Sequence, residues 1–216
     1  MSPAARYRWR CRLECVTLSA TKGLPMPSAI RLKASGILTG TGTRCKCCGL
    51  LFEMTLALGI DPGTATTGYG FVRIMPDGSL VAVKYGVILT PKEATASARL
   101  VMLYDELRNL LEEHKPETAA VEKLFFSRNV TTALAVGQAR GVVMLCLEQS
   151  GIEAFEYTPN EVKQAVAGYG GAQKRQVQEM VRALLQLDSI PKPDDAADAL
   201  AIAITHLNTK RYDQYS

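Results

Sequence analysis

Nine consecutive residues, Leu56-Ala57-Leu58-Gly59-Ile60-Asp61-Pro62-Gly63-Thr64, constrain this chain more than any other stretch. The apolar run reads as a buried strand, and Pro62 and Gly63 end it with a turn. Its last residue is then a carboxylate at the end of a central strand. Such a charge is costly to bury unless something positive meets it. A divalent metal ion is the usual solution, so the rest of the chain is expected to supply further ligands.

From Met54 onward, regular structure is dense. Strands are expected over 55–61, 68–74 and 80–89, with a turn at Pro76-Asp77-Gly78, so the opening is an antiparallel meander. Leu100, Leu103, Leu107, Leu110 and Leu111 fall on one face of a helix over 95–114, ended by Lys115-Pro116. A short strand over 118–122 again ends in a carboxylate, Glu122. A helix over 130–149, a strand over 152–157 and a short helix from Pro159 to Ala167 follow. The Gly168-Tyr169-Gly170-Gly171 loop leads into helices over 174–186 and 194–208. The order implies an α/β domain, a five-stranded mixed β-sheet flanked by α-helices on both faces.

Asp61 and Glu122 each finish an apolar strand, and adjacent strand ends would bring them to one edge of the sheet. Asp195 and Asp198 are three apart at the start of the last helix and project from one face. The small residues around them, Ala196, Ala197, Ala199 and Ala201, would let that helix dock closely on the sheet. Each acid alone has an ordinary explanation. Asp195 and Asp198 suit a helix N-terminus, Glu122 can face solvent and Asp61 can stabilise its turn. Four acids converging in an apolar setting repel one another unless cations lie among them. All-oxygen ligands favour Mg²⁺ or Mn²⁺ over zinc. Two strand-terminal acids with a helical acid pair point to two-metal phosphodiester hydrolysis.

Charge and cysteine are unevenly spread over the 216 residues. Residues 1–53 carry nine Lys/Arg against Glu14 and Glu53, whereas the remainder has sixteen basic and nineteen acidic residues. Nucleic-acid binding must therefore come from local patches rather than bulk charge. Five of six cysteines lie in the head. Cys11-x3-Cys15 followed by Cys45-x-Cys47-Cys48 does not reproduce the paired spacing of a zinc ribbon. A basic, acid-poor leader also has features of a transit peptide. The plainer expectation is that Met54 is the natural start and 1–53 a disordered or misannotated extension, leaving 54–216 as the working domain. Cys146 reads as a small buried hydrophobe. Its lack of cysteine partners suits a reducing compartment. No apolar run reaches membrane-spanning length, so a soluble, cytoplasmic protein is expected.

Several ordered motifs resemble the bacterial Holliday (crossover) junction endonucleases of the RuvC family, in the RNase H-like superfamily. They are Gly59-Ile60-Asp61-Pro62-Gly63, Val121-Glu122-Lys123-Leu124-Phe125-Phe126, Gly137-Gln138-Ala139-Arg140-Gly141 and Asp195-Ala196-Ala197-Asp198-Ala199-Leu200-Ala201. Tyr157-Thr158-Pro159 with Val162-Lys163-Gln164, and Lys174-x-Gln176-Val177-x-x-Met180-Val181, extend the match over nearly all of 54–216. The resemblance implies structure-selective cutting of four-way DNA junctions during recombination and repair. It also implies that Asp61, Glu122, Asp195 and Asp198 bind two Mg²⁺ per subunit, with Mn²⁺ able to substitute and Asp61 shared between the ions. Implied partners are junction DNA, a second copy in a homodimer and a branch-migration motor of the RuvA and RuvB type.

The same resemblance gives Phe125 a place in junction opening and Lys163, Lys174 and Arg175 phosphate contacts. Phe126 suits packing under its strand as well as stacking, and Arg140 suits helix packing as well as DNA. His114 and His206, each near a helix C-terminus, are expected to face solvent and are given no role. Two rivals stand beside this reading. One is an inert junction-binding module, although no acid of the four is missing. The other is an actin-like or sugar-kinase-type ATPase, because Asp61-Pro62-Gly63-Thr64 resembles a phosphate loop. That fold needs a second domain which 54–216 is too short to provide.

Overall fold

The computed structural model describes residues 43–44, 51–52, 54–123 and 130–215. In the head, β1 (Thr43–Arg44) and β2 (Leu51–Phe52) form a two-residue antiparallel ladder. The head cysteines lie outside the described residues.

The main sheet contains β3 (Leu56–Asp61), β4 (Thr66–Ile74), β5 (Leu80–Leu89), β6 (Thr118–Glu122) and β7 (Ala154–Tyr157), in the order β5-β4-β3-β6-β7. Strands β5, β4 and β3 form an antiparallel meander, and β6 and β7 add parallel on the other side of β3. The mixed five-stranded expectation holds. It puts β3 at the centre, and Leu56, Ala57, Leu58 and Ile60 are all buried.

Helices α1 (Ala96–His114) and α2 (Val130–Gln149) cover one face of the sheet. Leu58, Ile60 and Phe71 meet Leu103, Leu107 and Leu147 there. Each such fully buried side chain contributes about 1.5–3 kcal/mol relative to exposure. Helices α3 (Pro159–Ala167), α4 (Lys174–Leu184) and α5 (Asp194–Tyr215) cover the other face. Local chemistry sets their ends. Thr95 caps α1 through Ala98 N–H, and Lys115 closes it in the left-handed region. Thr158 and Glu161 form a capping box on α3, with Pro159 in its first turn and Gly168 at its end.

Some boundaries differ from the sequence expectation. Helix α4 stops at Leu184 because Gln186 turns left-handed at φ 53°. Strand β7 starts at Ala154 because Ile152 N–H still bonds the carbonyl of Leu147 at the end of α2. Helix α5 runs on to Tyr215, and this overturns the expected exposure of His206. That residue sits well inside the helix, fully buried, with Nε2 at 2.8 Å from the Thr118 hydroxyl and Nδ1 at 3.0 Å from the Tyr157 hydroxyl. Burial first, and then the charge of Lys210, push its pKa down to about 4, so the imidazole is neutral near pH 7. His114 is also turned inward, its ring 4.6 Å from that of Phe71. Among the described residues, no helix is long and apolar enough to cross a membrane.

A candidate metal centre

Because β3 and β6 are parallel neighbours in register Ile60↔Val121, their C-terminal residues come out on the same edge of the sheet. Asp61 and Glu122 are those residues, and their side chains share a hydrogen bond. Helix α5 brings the other two acids. Its first turns lie over β4, where Gly68 is the register partner of Asp61. A Cβ on Gly68 would fall 2.0 Å from the Asp195 carbonyl oxygen, so this glycine permits the approach. Gly59 does the same beneath Ala199, and Gly70 beneath Leu200. The small residues of α5 therefore form half of a close contact, and a glycine floor forms the other half.

The result is a cluster in which one carboxylate oxygen from each of Asp61, Asp195 and Asp198 lies within 4.8 Å of the others. Glu122 joins through Asp61 rather than as a member of that triad. Burial, then the charge and hydrogen bond of Glu122, then Asp198 and Asp195, push Asp61 up to about 8. The two carboxyls titrate as a pair, and burial with the neighbouring acids favours their keeping a proton near neutral pH. Glu122 is itself raised by burial, offset in part by that hydrogen bond and by the charges of Lys163 and Lys174. Burial raises Asp198 as well, against the pull of Lys174. Groups this resistant to ionisation are what a close carboxylate cluster becomes without a neutralising cation. Hard oxygen donors at this spacing fit a divalent ion such as Mg²⁺ or Mn²⁺.

Among the described residues, one lysine pairs directly with the helical acids. Lys174 Nζ lies 3.0 Å from Asp198 Oδ2 and 3.4 Å from Asp194 Oδ2. Burial lowers the pKa of Lys174, but the hydrogen bond and charge of Asp198 outweigh it and the net shift is upward. The sequence placed Lys174 among phosphate contacts, and the fold puts it against the acids. Asp194 was missed there, although it directly precedes Asp195. Lys163 acts on Glu122 through its charge, whereas Arg175 is exposed and lines a shallow surface depression with Tyr169 and Met180. Arg140 pairs with Glu156 on β7, which favours its packing role. Phe125 and Phe126 lie outside the described residues.

The raised Asp61 pKa has a testable sign. In the metal-free protein, folded Asp61 holds its proton to about pH 8, whereas its ordinary value is 3.8. Between those values the folded state binds more protons, so unfolding free energy falls as pH rises. Melting curves in EDTA are expected to show stability falling across that window. Added Mg²⁺ should restore more of it at the upper end than at the lower, because a metal competes with protons for its ligands. A metal-free melting temperature that climbs across the window would contradict the cluster's electrostatics.

Residues 57–206 match the family described as crossover junction endodeoxyribonuclease RuvC. Relatives of that description from Roseiflexus sp. (strain RS-1) and Chloroflexus aggregans (strain MD-66 / DSM 9485) are 59% and 60% identical. The alignments cover 70% and 71% of this chain and 90% and 93% of theirs. A solved structure of T. thermophilus RuvC in complex with Holliday junction substrate is similar at TM-score 0.67 and 34% identity, covering 73% of this chain and 96% of that one. Another Thermus thermophilus RuvC structure reaches TM-score 0.69 at 36% identity, with the same coverage.

Proposed function

The chain belongs to the crossover junction endodeoxyribonuclease RuvC family, and from that premise we propose that it resolves four-way DNA junctions by paired, symmetric, metal-dependent phosphodiester hydrolysis. The observation that carries the proposal is the meeting of Asp61, Asp195 and Asp198 at one sheet edge, with Glu122 bonded to Asp61. These four carboxylates would hold two Mg²⁺ ions, with Mn²⁺ able to substitute. When bound, the ions lower the pKa of an attacking water and stabilise the leaving 3′ oxygen. The acids would be held as carboxylates, and strands β3 and β6 with α5 bring them to one place. Lys174 sits where it can leave Asp198 for a phosphate, and Lys163 and Arg175 would meet the DNA backbone. Phe125, following Glu122 in the chain, would stack on an unpaired base at the crossover.

A junction is two-fold symmetric, so two matched cuts call for a symmetric dimer with one site per subunit. Helix α2 carries a fitting surface. Leu134 and Leu145 are 65% and 52% exposed. Gln138 and the open Gly141 lie between them on the same stripe, at helical spacing. We assign this stripe to the homodimer contact. Leu145→Glu is expected to shift the protein towards monomer in sedimentation and to convert paired cuts into single nicks. A variant that stays dimeric would move the interface elsewhere. A branch-migration motor would deliver the junction, in the cytoplasm.

The test uses a labelled four-way junction and a linear duplex of the same sequence, with Mg²⁺. Paired nicks in the junction alone are expected. Junction binding without cutting would support the inert module instead, and ATP hydrolysis without DNA cleavage the kinase-like rival.

A further inference from the structure

The turn that leaves Asp61 is held by side chains that no acid of the cluster contributes. Thr67 Oγ1 donates to the Gly63 carbonyl at 2.7 Å. Thr90 Oγ1 donates to the Thr64 carbonyl at 2.5 Å, and Arg99 Nη2 donates to that same oxygen at 2.6 Å. Arg99 Nε then donates to Thr90 Oγ1 at 2.9 Å. The Thr64 carbonyl thus has both lone pairs engaged, and the three groups close into a ring. Thr90 is 8% exposed and directly follows β5, whereas Arg99 lies in the first turn of α1, so the ring ties the ends of two elements to the turn.

An arginine usually meets a carboxylate or solvent. Among the described residues no carboxylate pairs with Arg99. Its guanidinium is spent on two neutral acceptors, the carbonyl of Thr64, three residues beyond Asp61, and the Thr90 hydroxyl. We propose that Arg99 is a positioning residue for the metal centre, its fork on Thr64 and Thr90 fixing the turn and thereby the direction of the Asp61 carboxylate. The ladder alone leaves that direction underdetermined, because Asp61↔Gly68 is its last pair and Gly68 offers no side chain against which Asp61 could rest. Thr90 is the second member of the same device.

This inference rests on Asp61 being a metal ligand, and the experiment separates the two. Arg99→Gln, Arg99→Lys, Thr90→Val and Asp61→Asn are compared with the unmodified full chain. The readouts are Mn²⁺ binding to the DNA-free protein by calorimetry, junction binding in EDTA, melting temperature, and the Mg²⁺ midpoint for cleavage. Supporting groups behind metal ligands typically govern about 10–100-fold in metal affinity or activity. Arg99→Gln and Thr90→Val are therefore expected to weaken Mn²⁺ binding and raise the Mg²⁺ midpoint by about tenfold. Junction binding should stay unchanged, and Arg99→Lys, which keeps one donor, should fall between.

Weakened junction binding with unchanged Mn²⁺ affinity would overturn the proposal in favour of a phosphate contact. A lowered melting temperature with unchanged Mn²⁺ affinity would reduce Arg99 to a structural role and overturn it too. Should Arg99→Gln fail to fold, Thr90→Val carries the same readouts. If Asp61→Asn itself leaves Mn²⁺ binding intact, the metal-centre reading fails. If only the Arg99 and Thr90 variants do so, that reading stands and the positioning role falls.

Discussion

Asp61→Asn is expected to leave the protein folded and able to bind a junction while lowering single-turnover cleavage by about three orders of magnitude or more. The size follows from the chemistry: charge stabilisation by bound metal is worth several kcal/mol, and each 1.36 kcal/mol is about tenfold in rate. Asparagine keeps the volume at the end of β3 but removes the charge that an ion needs. The variant should also be more stable than the unmodified protein when both are in EDTA near pH 8. Asp61 is the acid held highest by burial and by Glu122, Asp198 and Asp195, so replacing it relieves all of those contacts at once. It should flatten the metal-free pH dependence of melting for the same reason. An Asp61→Asn protein that cuts at the normal rate, or that gains no stability in EDTA, would remove Asp61 from the centre of the site.

Asp61 and Glu122 were legible because burial is written into sequence as an apolar run, and a charge that ends such a run stands out. Asp195 and Asp198 were legible from their helical spacing and the small residues around them. Strand adjacency was legible for a similar reason. The meander leaves β3 free on one side, and a strand returning through a helix can pair there in parallel. What the sequence hid depends on contacts between distant elements. Gly59, Gly68 and Gly70 looked like ordinary strand glycines, and only the seating of α5 shows that each lacks a side chain because backbone or Leu200 occupies the space. Lys174 was placed among phosphate contacts, since nothing local announces that α4 starts beside Asp194 and Asp198. His206 read as a helix-terminal imidazole because the polar residues after it hid the continuation of α5. Its partners Thr118 and Tyr157 belong to the sheet. Arg99 carried no signal at all, because a carbonyl acceptor has no sequence signature.

Gly68→Ala and Gly59→Ala are expected to break the protein in two different ways, although both place one methyl beneath the same helix. On Gly68 the new Cβ would fall 2.0 Å from the Asp195 carbonyl oxygen and 3.2 Å from the Asp195 Cβ. Ordinary contact needs about 3.5–4.0 Å, so the first turn of α5 must lift by about 1.5 Å. That turn is at the helix end, and it can tilt while the rest stays docked. The protein should fold with only moderate loss of stability, yet the acid pair no longer sits against Asp61. A misplacement of about 1 Å at a reacting centre can cost about a hundredfold in rate. On Gly59 the methyl would meet the Ala199 carbonyl oxygen at 2.0 Å and the Ala203 backbone nitrogen at 2.6 Å, beneath the middle of the helix. No end is free to tilt there, and Ala199, Ala203 and the strand below are all fully packed. Overpacking usually costs about 1–3 kcal/mol, and a clash with backbone on a central strand belongs at or beyond the top of that range. Gly59→Ala is therefore expected to fail as a folding mutant, with a large drop in melting temperature or loss of soluble protein. Gly68→Ala should keep most of its stability and lose its cutting and its Mn²⁺ binding together. Equal stability losses in the two variants, or normal cleavage by Gly68→Ala, would mean that the glycine floor does not set the distance between the helical acids and Asp61.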